Sequence, residues 1–498
     1  MLEKINHKSA PKEIVTALIT LYHQGKYDDV LSRSSQLIKE YPQTFTLHNI
    51  IGAISFEKGH KEVAIEHFRK VIELRPHHPH AYNNLGAALI DIGEYEEAKS
   101  NLKKAIELQP DYAEAYNNLG NVYKEMEEYN QAISVYEKAI ELNPAYYEAY
   151  NNLGAALGKN EQYEEAEKVL KQVIKSQPDF VEALNNLGSI LTYMEKYEEA
   201  KAILNRSIRI HSSNAGALSN LGNVYRKLNE YEQAVDQYKR AIQIKPNYYE
   251  ALNNMGLALT ELEKYSEAKN ILKQAIKINP KHVQAYNNLG NIHNRVKHHH
   301  KAKKYYKKVI ELDPMFWEAY NNLGNVYNYM EEYNQAISFY KKTLKLNPNI
   351  STVYYNLGNA YHHIGNMDDA IENYKKAIDL NPDYDEAFCN MGMSLEEKGD
   401  FEGAIEKYNK VLEINPKHPG AHMNLGISYV SCGDYDSAIK NYKIAISSDI
   451  GRYKFLAGLL FASNYSPNMS AEEIYEYYKQ FDQRFGLPHK NKWKTFTQ

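Results

Sequence analysis

Apolar residues recur along the chain with the period of an amphipathic helix. In "AYNNLGNVY", residues 115–123, the side chains of Tyr116, Leu119, Gly120 and Tyr123 follow the i, i+3, i+4, i+7 spacing of one helix face. A second apolar pattern follows after a short turn, and a proline ends it, since proline has no N–H and clashes with the preceding helical turn. The pattern predicts pairs of helices joined by short turns.

The prolines show that the helix pair is a repeat. They stand at residues 42, 76, 110, 144, 178, 246, 280, 314, 348, 382 and 416. Neighbouring prolines are separated by one constant interval, except for a single doubled gap that spans Ser212. Extending this register predicts thirteen repeats that begin at residues 11, 45, 79 and so on to 419, the last ending near Arg452.

Small residues recur at two positions of the repeat. With the first residue counted as position 1, position 8 is Gly in twelve repeats and position 20 is Ala in twelve. The missing side-chain bulk predicts close approach of the two helices. Position 24 is Tyr in seven repeats, including Tyr136, Tyr238 and Tyr340. These rings are interpreted as packing residues with their hydroxyls at the wet edge of the core.

This pattern resembles the tetratricopeptide repeat, a helix–turn–helix of about 34 residues. The resemblance implies an all-α, right-handed superhelical solenoid, in which stacked pairs bury one continuous core and the first helices line the concave side. We therefore predict an N-terminal extension at residues 1–10, the repeat superhelix at 11–452, and a linker or docking segment at 453–498 with a helix near 471–485.

Asparagines recur on the helix face opposite the apolar stripe. Each costs roughly 0.7 kcal/mol relative to alanine inside a helix, yet position 6 is Asn in eleven successive repeats, and positions 5 and 9 are often Asn too. The candidate binding residues are Asn84, Asn118, Asn152, Asn186, Asn220, Asn254, Asn288, Asn322, Asn356, Asn390 and Asn424 at position 6, with Asn121 and Asn325 at position 9. We call the position-6 series the asparagine ladder.

A primary amide carries donors and an acceptor together, as a peptide group does. A regular row of amides could therefore hold an extended polypeptide by its backbone, largely whatever its sequence. The alternative is that the amides bridge neighbouring helices or only face water.

The tail contains one well-specified helix. Ser470 and Glu473 form a capping box, and Ile474, Tyr478, Phe481 and Phe485 are predicted on one face. The segment "LLFASNYSPNMSAEEIYEYYKQFDQRFG" and the asparagine series resemble the linker and superhelix of bacterial O-linked N-acetylglucosamine transferase (SPINDLY-like) glycosyltransferases. The resemblance implies that the chain recognises extended protein substrates and has a glycosyltransferase catalytic domain as a possible partner.

The sequence ends at Gln498, where the resemblance would place the catalytic module, so no catalytic residue is carried over. We expect no sugar transfer by this chain alone. The alternative is a free-standing scaffold unrelated to glycosylation. Full burial of the tail helix's apolar face against the repeats would favour the scaffold, whereas an exposed face would favour docking onto a further domain.

The charge, the apolar runs and the motifs of the chain argue against several other classes of protein. The net charge of −4 makes nucleic acid an unexpected partner, and no apolar run approaches the roughly 20 residues that span a bilayer. The N-terminus has no signal-peptide pattern, and Cys389 and Cys432 suit reduced thiols, so we expect a cytoplasmic protein. No nucleotide-binding or metalloprotease motif occurs, and the run His298–His300 is interpreted as a solvated turn. We predict no cofactor and no metal.

Overall fold

The computed structural model describes residues 9–448 and 453–487 and confirms the all-α repeat fold. Every regular element in these ranges is a helix, and each repeat supplies a first helix followed by a slightly longer second helix. The chain divides into two compact units, Met1–Glu263 and Lys264–Gln498. Among the described residues, no helix has the length and apolar composition needed to cross a bilayer.

Fifteen helices lie in residues 9–263, the described part of the first unit. They are α1 (Lys12–His23), α2 (Tyr27–Glu40), α3 (Phe45–Glu57), α4 (Lys61–Leu74), α5 (Pro79–Ile90), α6 (Tyr95–Leu108), α7 (Ala113–Glu125), α8 (Tyr129–Leu142), α9 (Tyr147–Lys159), α10 (Tyr163–Ser176), α11 (Val181–Tyr193), α12 (Tyr197–Ile210), α13 (Ala215–Lys227), α14 (Tyr231–Ile244) and α15 (Tyr249–Glu261).

The described part of the second unit holds thirteen α-helices and a short π-helix at Asp482–Gly486. They are α16 (Tyr265–Ile278), α17 (Val283–Arg295), α18 (His299–Leu312), α19 (Trp317–Tyr329), α20 (Tyr333–Leu346), α21 (Ser351–His363), α22 (Met367–Leu380), α23 (Asp385–Glu397), α24 (Phe401–Ile414), α25 (Pro419–Ser431), α26 (Tyr435–Ser448), α27 (Tyr453–Tyr465) and α28 (Ala471–Phe481).

The small residues of the repeat lie where its two helices cross. A Cβ added to Gly120 in α7 would lie 2.4 Å from Cε1 of Tyr136 in α8, and the same close approach recurs at Gly222 against Tyr238. Ala132, at position 20 of the same repeat as Gly120, is fully buried. The predicted close helix pairing is therefore confirmed, and the large residue at position 24 fills the space that position 8 leaves open.

The first helices of each unit also pack on one another. Within each unit, first helices of neighbouring repeats contact each other, as α7 contacts α5 and α9. Second helices of neighbouring repeats make no comparable contact in the described ranges. The first helices thus form a continuous surface in each unit. We call its part formed by positions 5, 6, 9 and 13 the first-helix face.

The turn within each repeat requires a left-handed backbone at position 15. Six repeats place Gly there, and seven place another residue with φ between 57° and 61°. The non-glycine residues are Glu127, Glu161, Glu195, Asn229, Glu263, Lys297 and Glu331. A left-handed backbone costs an L-residue about 1–2 kcal/mol, which glycine avoids.

Replacing Glu127 with glycine is therefore expected to raise the free energy of unfolding by up to about 1 kcal/mol, because the strain is relieved at a modest cost in chain entropy. Glu127→Ala is the control, since alanine retains the strain. Urea denaturation followed by circular dichroism measures both variants. Equal stability of the two variants would show that the turn carries no such strain.

The tail contains a helix that the sequence analysis did not anticipate. Helix α27 begins one repeat length after α25 and contacts both α25 and α26, so it takes the place of a further first helix. Leu456 and Leu459 are buried against Ile439 and Tyr442 of α26. A Cβ on Gly458 would lie 2.6 Å from Cζ of Tyr442. The described tail thus covers the last repeat.

Candidate peptide-binding face

The ladder asparagines lie between neighbouring first helices of a unit, half-buried for the most part. Asn118 donates from Nδ2 to Oδ1 of Asn83 in the preceding repeat at 2.9 Å. The same bond, from position 6 to the preceding position 5, recurs in the next three repeats. It joins Asn152 to Asn117 at 3.0 Å, Asn186 to Asn151 at 2.8 Å, and Asn220 to Asn185 at 2.9 Å. The amides therefore do bridge neighbouring helices.

Other repeats use an asparagine at position 9 as the acceptor. Asn254 donates to Asn223 at 3.0 Å, Asn356 to Asn325 at 3.2 Å, and Asn390 to Asn359 at 2.8 Å. Asn322 reaches both kinds of acceptor, Asn287 at 3.2 Å and Asn291 at 3.3 Å. Each of these repeat junctions therefore has at least one amide hydrogen bond across it.

The position-24 tyrosines join the same network. Tyr238 donates its hydroxyl to Oδ1 of Asn223 at 2.7 Å, so this oxygen also accepts from Asn254. Tyr136 donates to Asn121 at 2.7 Å and Tyr340 to Asn325 at 2.9 Å. The expectation that these hydroxyls lie at a wet edge is wrong for these rings. All three tyrosines are fully buried, and desolvation raises the pKa of each phenol.

The remaining ladder positions differ from this scheme. Asn84 accepts from its neighbour Asn83 at 3.5 Å, and Asn288 is buried. Asn424 is also buried, and its Nδ2 lies 3.7 Å from Sγ of Cys389. Burial raises the pKa of the Cys389 thiol to about 11, so it remains protonated.

Positions 5 and 6 have different exposure. Asn117 at position 5 is only 1% exposed, and Asn83 and Asn151 are buried too. Asn118 and Asn152 at position 6 are half-buried. In these repeats position 5 is thus covered by the next first helix, and position 6 stays partly exposed.

In four of the position-6 amides the carbonyl oxygen has no partner among the described residues. The Oδ1 atoms of Asn118, Asn152, Asn186 and Asn220 accept no hydrogen bond from the described part of the chain. Their Nδ2 atoms are held by the bond to the preceding repeat. Each of these side chains is therefore fixed in orientation and still presents a free carbonyl oxygen, which can accept from a ligand N–H.

Two neighbouring cavities open on this face of the first unit. One, of about 350 Å³, is lined by residues that include Asn220, Asn223, Asn254 and Arg226. The other, of about 320 Å³, is lined by Asn186 among others, and Tyr193 lines both. Three ladder amides, those of Asn186, Asn220 and Asn254, therefore lie in the walls of concave sites.

Aromatic and cationic side chains also line these cavities, and the sequence analysis did not single them out. Tyr193 is 66% exposed and stacks on Tyr163, with ring centroids 5.6 Å apart. The Nε of Arg226 is buried and has no hydrogen-bond partner among the described residues. The signal was available in the sequence, since Arg226 is the one arginine at position 12 of any repeat.

The histidine-rich run provides no metal site. No group of His, Cys, Asp and Glu in the described ranges is arranged to hold a metal ion. His299 pairs through Nδ1 with Oδ1 of Asn294 at 3.0 Å. Nearby His293 is buried and stacks on Tyr305, with ring centroids 5.4 Å apart.

The tail helix α28 begins with the expected capping box of Ser470 and Glu473. Its packing face differs from the prediction, since Tyr478 is 48% exposed and Tyr477 packs on the core beneath α28 together with Phe481 and Phe485. None of its residues is fully buried.

Several family models match the chain. A model described as tetratricopeptide repeat matches residues 283–316, 317–350 and 351–384. Other tetratricopeptide repeat models match residues 51–98, 373–406, 394–431 and 419–449. The model of the C-terminal domain of cilia and flagella-associated protein 70 matches residues 77–281. None of these models describes a glycosyltransferase. A search of curated proteins finds no match.

Solved structures that match this chain include a chain of the APC/C hetero-tetramer Cut9–Hcn1. It is 13% identical, the match covers 91% of this chain and 96% of that one, and the TM-score is 0.47. MamA is 31% identical over 32% of this chain and 95% of its own, with a TM-score of 0.32. YrrB, described as a TPR protein with an unusual peptide-binding site, is 27% identical over 37% and 96%, with a TM-score of 0.35.

Proposed function

Because the chain belongs to the tetratricopeptide repeat family and is therefore a protein-interaction module, we propose that its first-helix face binds extended polypeptide through the asparagine ladder. The observation that carries this proposal is the free Oδ1 atom at position 6 in four successive repeats, from Asn118 to Asn220. Such oxygens can accept from the peptide N–H groups of an extended ligand.

The bonds between repeats prepare the ladder for binding. Asn152, for example, is held by its donation to Asn117, so little side-chain freedom is lost when a ligand binds. Recognition through backbone groups gives affinity that depends weakly on ligand sequence. Side-chain preference would come from the neighbouring cavities and Tyr193.

Two matched triple variants separate binding from packing. Asn118→Ala with Asn152→Ala and Asn186→Ala removes the accessible amides and breaks three bonds between repeats. Asn83→Ala with Asn117→Ala and Asn151→Ala breaks the same three bonds but removes only buried amides. The two variants therefore lose the same bonds between repeats, but only the position-6 variant loses amides that a ligand can contact.

The ligand for this test is a peptide selected on the wild-type chain from a random-sequence display library. The position-6 variant is expected to lose at least about tenfold in affinity by fluorescence anisotropy, because each hydrogen bond contributes about 0.5–1.5 kcal/mol. The position-5 variant should bind within about threefold of wild type. Equal affinity of the two variants would refute a ligand-binding role for the ladder.

We further propose that the bound segments are protein substrates of an O-linked N-acetylglucosamine transferase-like enzyme. This rests on the resemblance of the tail and the asparagine series to that family. Transfer from UDP-N-acetylglucosamine is expected only when a catalytic domain is supplied, so turnover by this chain alone would contradict the assignment. A catalytic domain that binds equally well to chains with and without residues 453–498 would contradict the docking role of the tail.

A free-standing scaffold is the second candidate. It is favoured by the contact of Tyr477, Phe481 and Phe485 with the core beneath α28, because a terminal cap closes a stack of repeats. Tyr475 and Tyr478 remain exposed on the same helix, at 69% and 48%. If the full chain binds no glycosyltransferase catalytic domain, the scaffold candidate is favoured. Loss of such binding when these two tyrosines are replaced with serine would instead favour docking onto a catalytic domain.

A further inference from the structure

Three neighbouring second helices of the second unit are strongly basic. Helices α16, α18 and α20 carry eleven lysines and two carboxylates, Glu267 and Glu311, although the whole chain has a net charge of −4. The lysines are Lys269, Lys273, Lys277, Lys301, Lys303, Lys304, Lys307, Lys308, Lys341, Lys342 and Lys345. We call this set the lysine face.

Other second helices have balanced charge. Helices α6 and α10 each carry three lysines and three glutamates. Since all these helices occupy the same place in the repeat, the repeat fold does not require the excess on α16, α18 and α20. The excess needs another explanation, and a binding surface supplies one.

The lysines are largely unneutralised. Eight of the eleven are exposed, and among the described residues Lys308, bonded to Glu311 at 2.5 Å, is the one member with a carboxylate partner. The ring of Tyr327 lies 4.8 Å from Nζ of Lys303. Burial lowers the pKa of His293 in α17 to about 4. The positive charges of Lys269, Lys301 and Lys273 add to this effect.

A cavity of about 560 Å³ lies within this surface. Tyr286 and Tyr305 line it together with Lys301, Lys304, Lys307 and Lys308, and Glu311 contributes to the wall. Four lysines thus line a space that holds a few ligand side chains, and Lys308 among them is paired with Glu311. Such a site fits carboxylates far better than uncharged groups.

We propose that the lysine face binds an acidic polypeptide segment, with one or more of its carboxylates in this cavity. This partner is additional to the ligand of the first-helix face. The partner would bind this protein-interaction module through charge complementarity. Such complementarity raises association rates and makes binding salt-dependent.

The chemistry of the surface favours polypeptide over the other polyanions. The three helices contain no arginine, the residue best suited to bidentate phosphate contacts. The ring of Tyr305 is already stacked on His293 and is not free to stack on a base. Ile278 is the one exposed large apolar side chain on these helices, too little for insertion into a bilayer.

The test uses the full chain and a fluorescein-labelled peptide of alternating glutamate and serine. Lys304→Glu with Lys307→Glu reverses two charges of the cavity. The matched control is Lys168→Glu with Lys171→Glu, which occupies the same two repeat positions on the balanced helix α10. Circular dichroism and thermal melting confirm that both variants are folded.

The wild-type chain is expected to bind the peptide at low ionic strength, and its affinity should fall as salt is added. The α18 variant should lose at least about tenfold in affinity, and the α10 variant should stay within about twofold. Equal losses in both, or no binding by wild type, would overturn the proposal. Tighter binding of oligothymidylate or phosphatidylserine vesicles than of the peptide would overturn the assigned partner class. The position-6 ladder variant should bind this peptide normally, which separates the two sites.

Discussion

Gly120→Ala is expected to lower the free energy of unfolding by about 2 kcal/mol. The new Cβ would lie 2.4 Å from Cε1 and 2.7 Å from Cδ1 of Tyr136. The ring cannot move aside, because Tyr136 is fully buried and its hydroxyl is bonded to Asn121 at 2.7 Å. Overpacking of this kind costs about 3 kcal/mol at its upper range, and the better helix propensity of alanine returns about 1 kcal/mol.

Gly216→Ala is the control for the same substitution. Gly216 also lies within a first helix, but its added Cβ would approach Oδ1 of Asn214 at 3.3 Å and Nδ2 of Asn185 at 3.5 Å, both at the ends of side chains. We expect its stability to be unchanged or slightly increased. Chemical denaturation of both variants, followed by circular dichroism, makes the comparison. If Gly120→Ala were as stable as Gly216→Ala, the proposed role of position 8 would be wrong.

Truncation after Ser448 is expected to destabilise the second unit by about 3–6 kcal/mol. It removes α27, whose Leu456 and Leu459 cover Ile439 and Tyr442 of α26, and complete burial of such side chains is worth about 1.5–3 kcal/mol each. The truncated chain should melt at a lower temperature. It should also bind a hydrophobic dye and associate as its concentration rises.

Truncation after Leu487 is the matched control, because it retains α27, α28 and the π-helix. This shorter deletion should melt as the full chain does. If both truncated chains behaved alike, the tail would have no capping role, and its proposed role as a linker to another domain would be strengthened.

Much of the fold follows from residues whose effect is local. Gly120 and Ala132 remove bulk at one helix crossing, and prolines such as Pro144 end the second helices, so their constant spacing reveals the repeat. Helix α27 escaped prediction because its segment has Leu460 at position 8 and Ile450 stands where a proline would precede it. Its small residue is Gly458, which stands at position 6 instead of position 8. The contact of Gly458 with Tyr442 is evident only once the helices are packed.

The candidate site was harder to predict, because its exposure depends on a neighbouring repeat. A single helix places Asn117 and Asn118 away from the apolar stripe, yet Asn117 is 1% exposed, since the next first helix covers it and Asn152 donates to it. The hydroxyl of Tyr136 likewise finds Asn121 in the facing helix. Such pairs join residues on different helices, so the residue pattern of a single helix does not predict them.

The bonds between ladder positions also constrain how this protein can change its length. Asn118, Asn152 and Asn186 each meet a partner one repeat and one position earlier in the chain. If one whole repeat within this series were deleted or duplicated, the new junction would again place an asparagine at position 6 beside one at position 5. Recombination between near-identical repeats can therefore shorten or lengthen the chain in whole units without an unpaired junction. Gain or loss of such units would alter the span of ligand the protein accommodates while leaving its mode of contact unchanged.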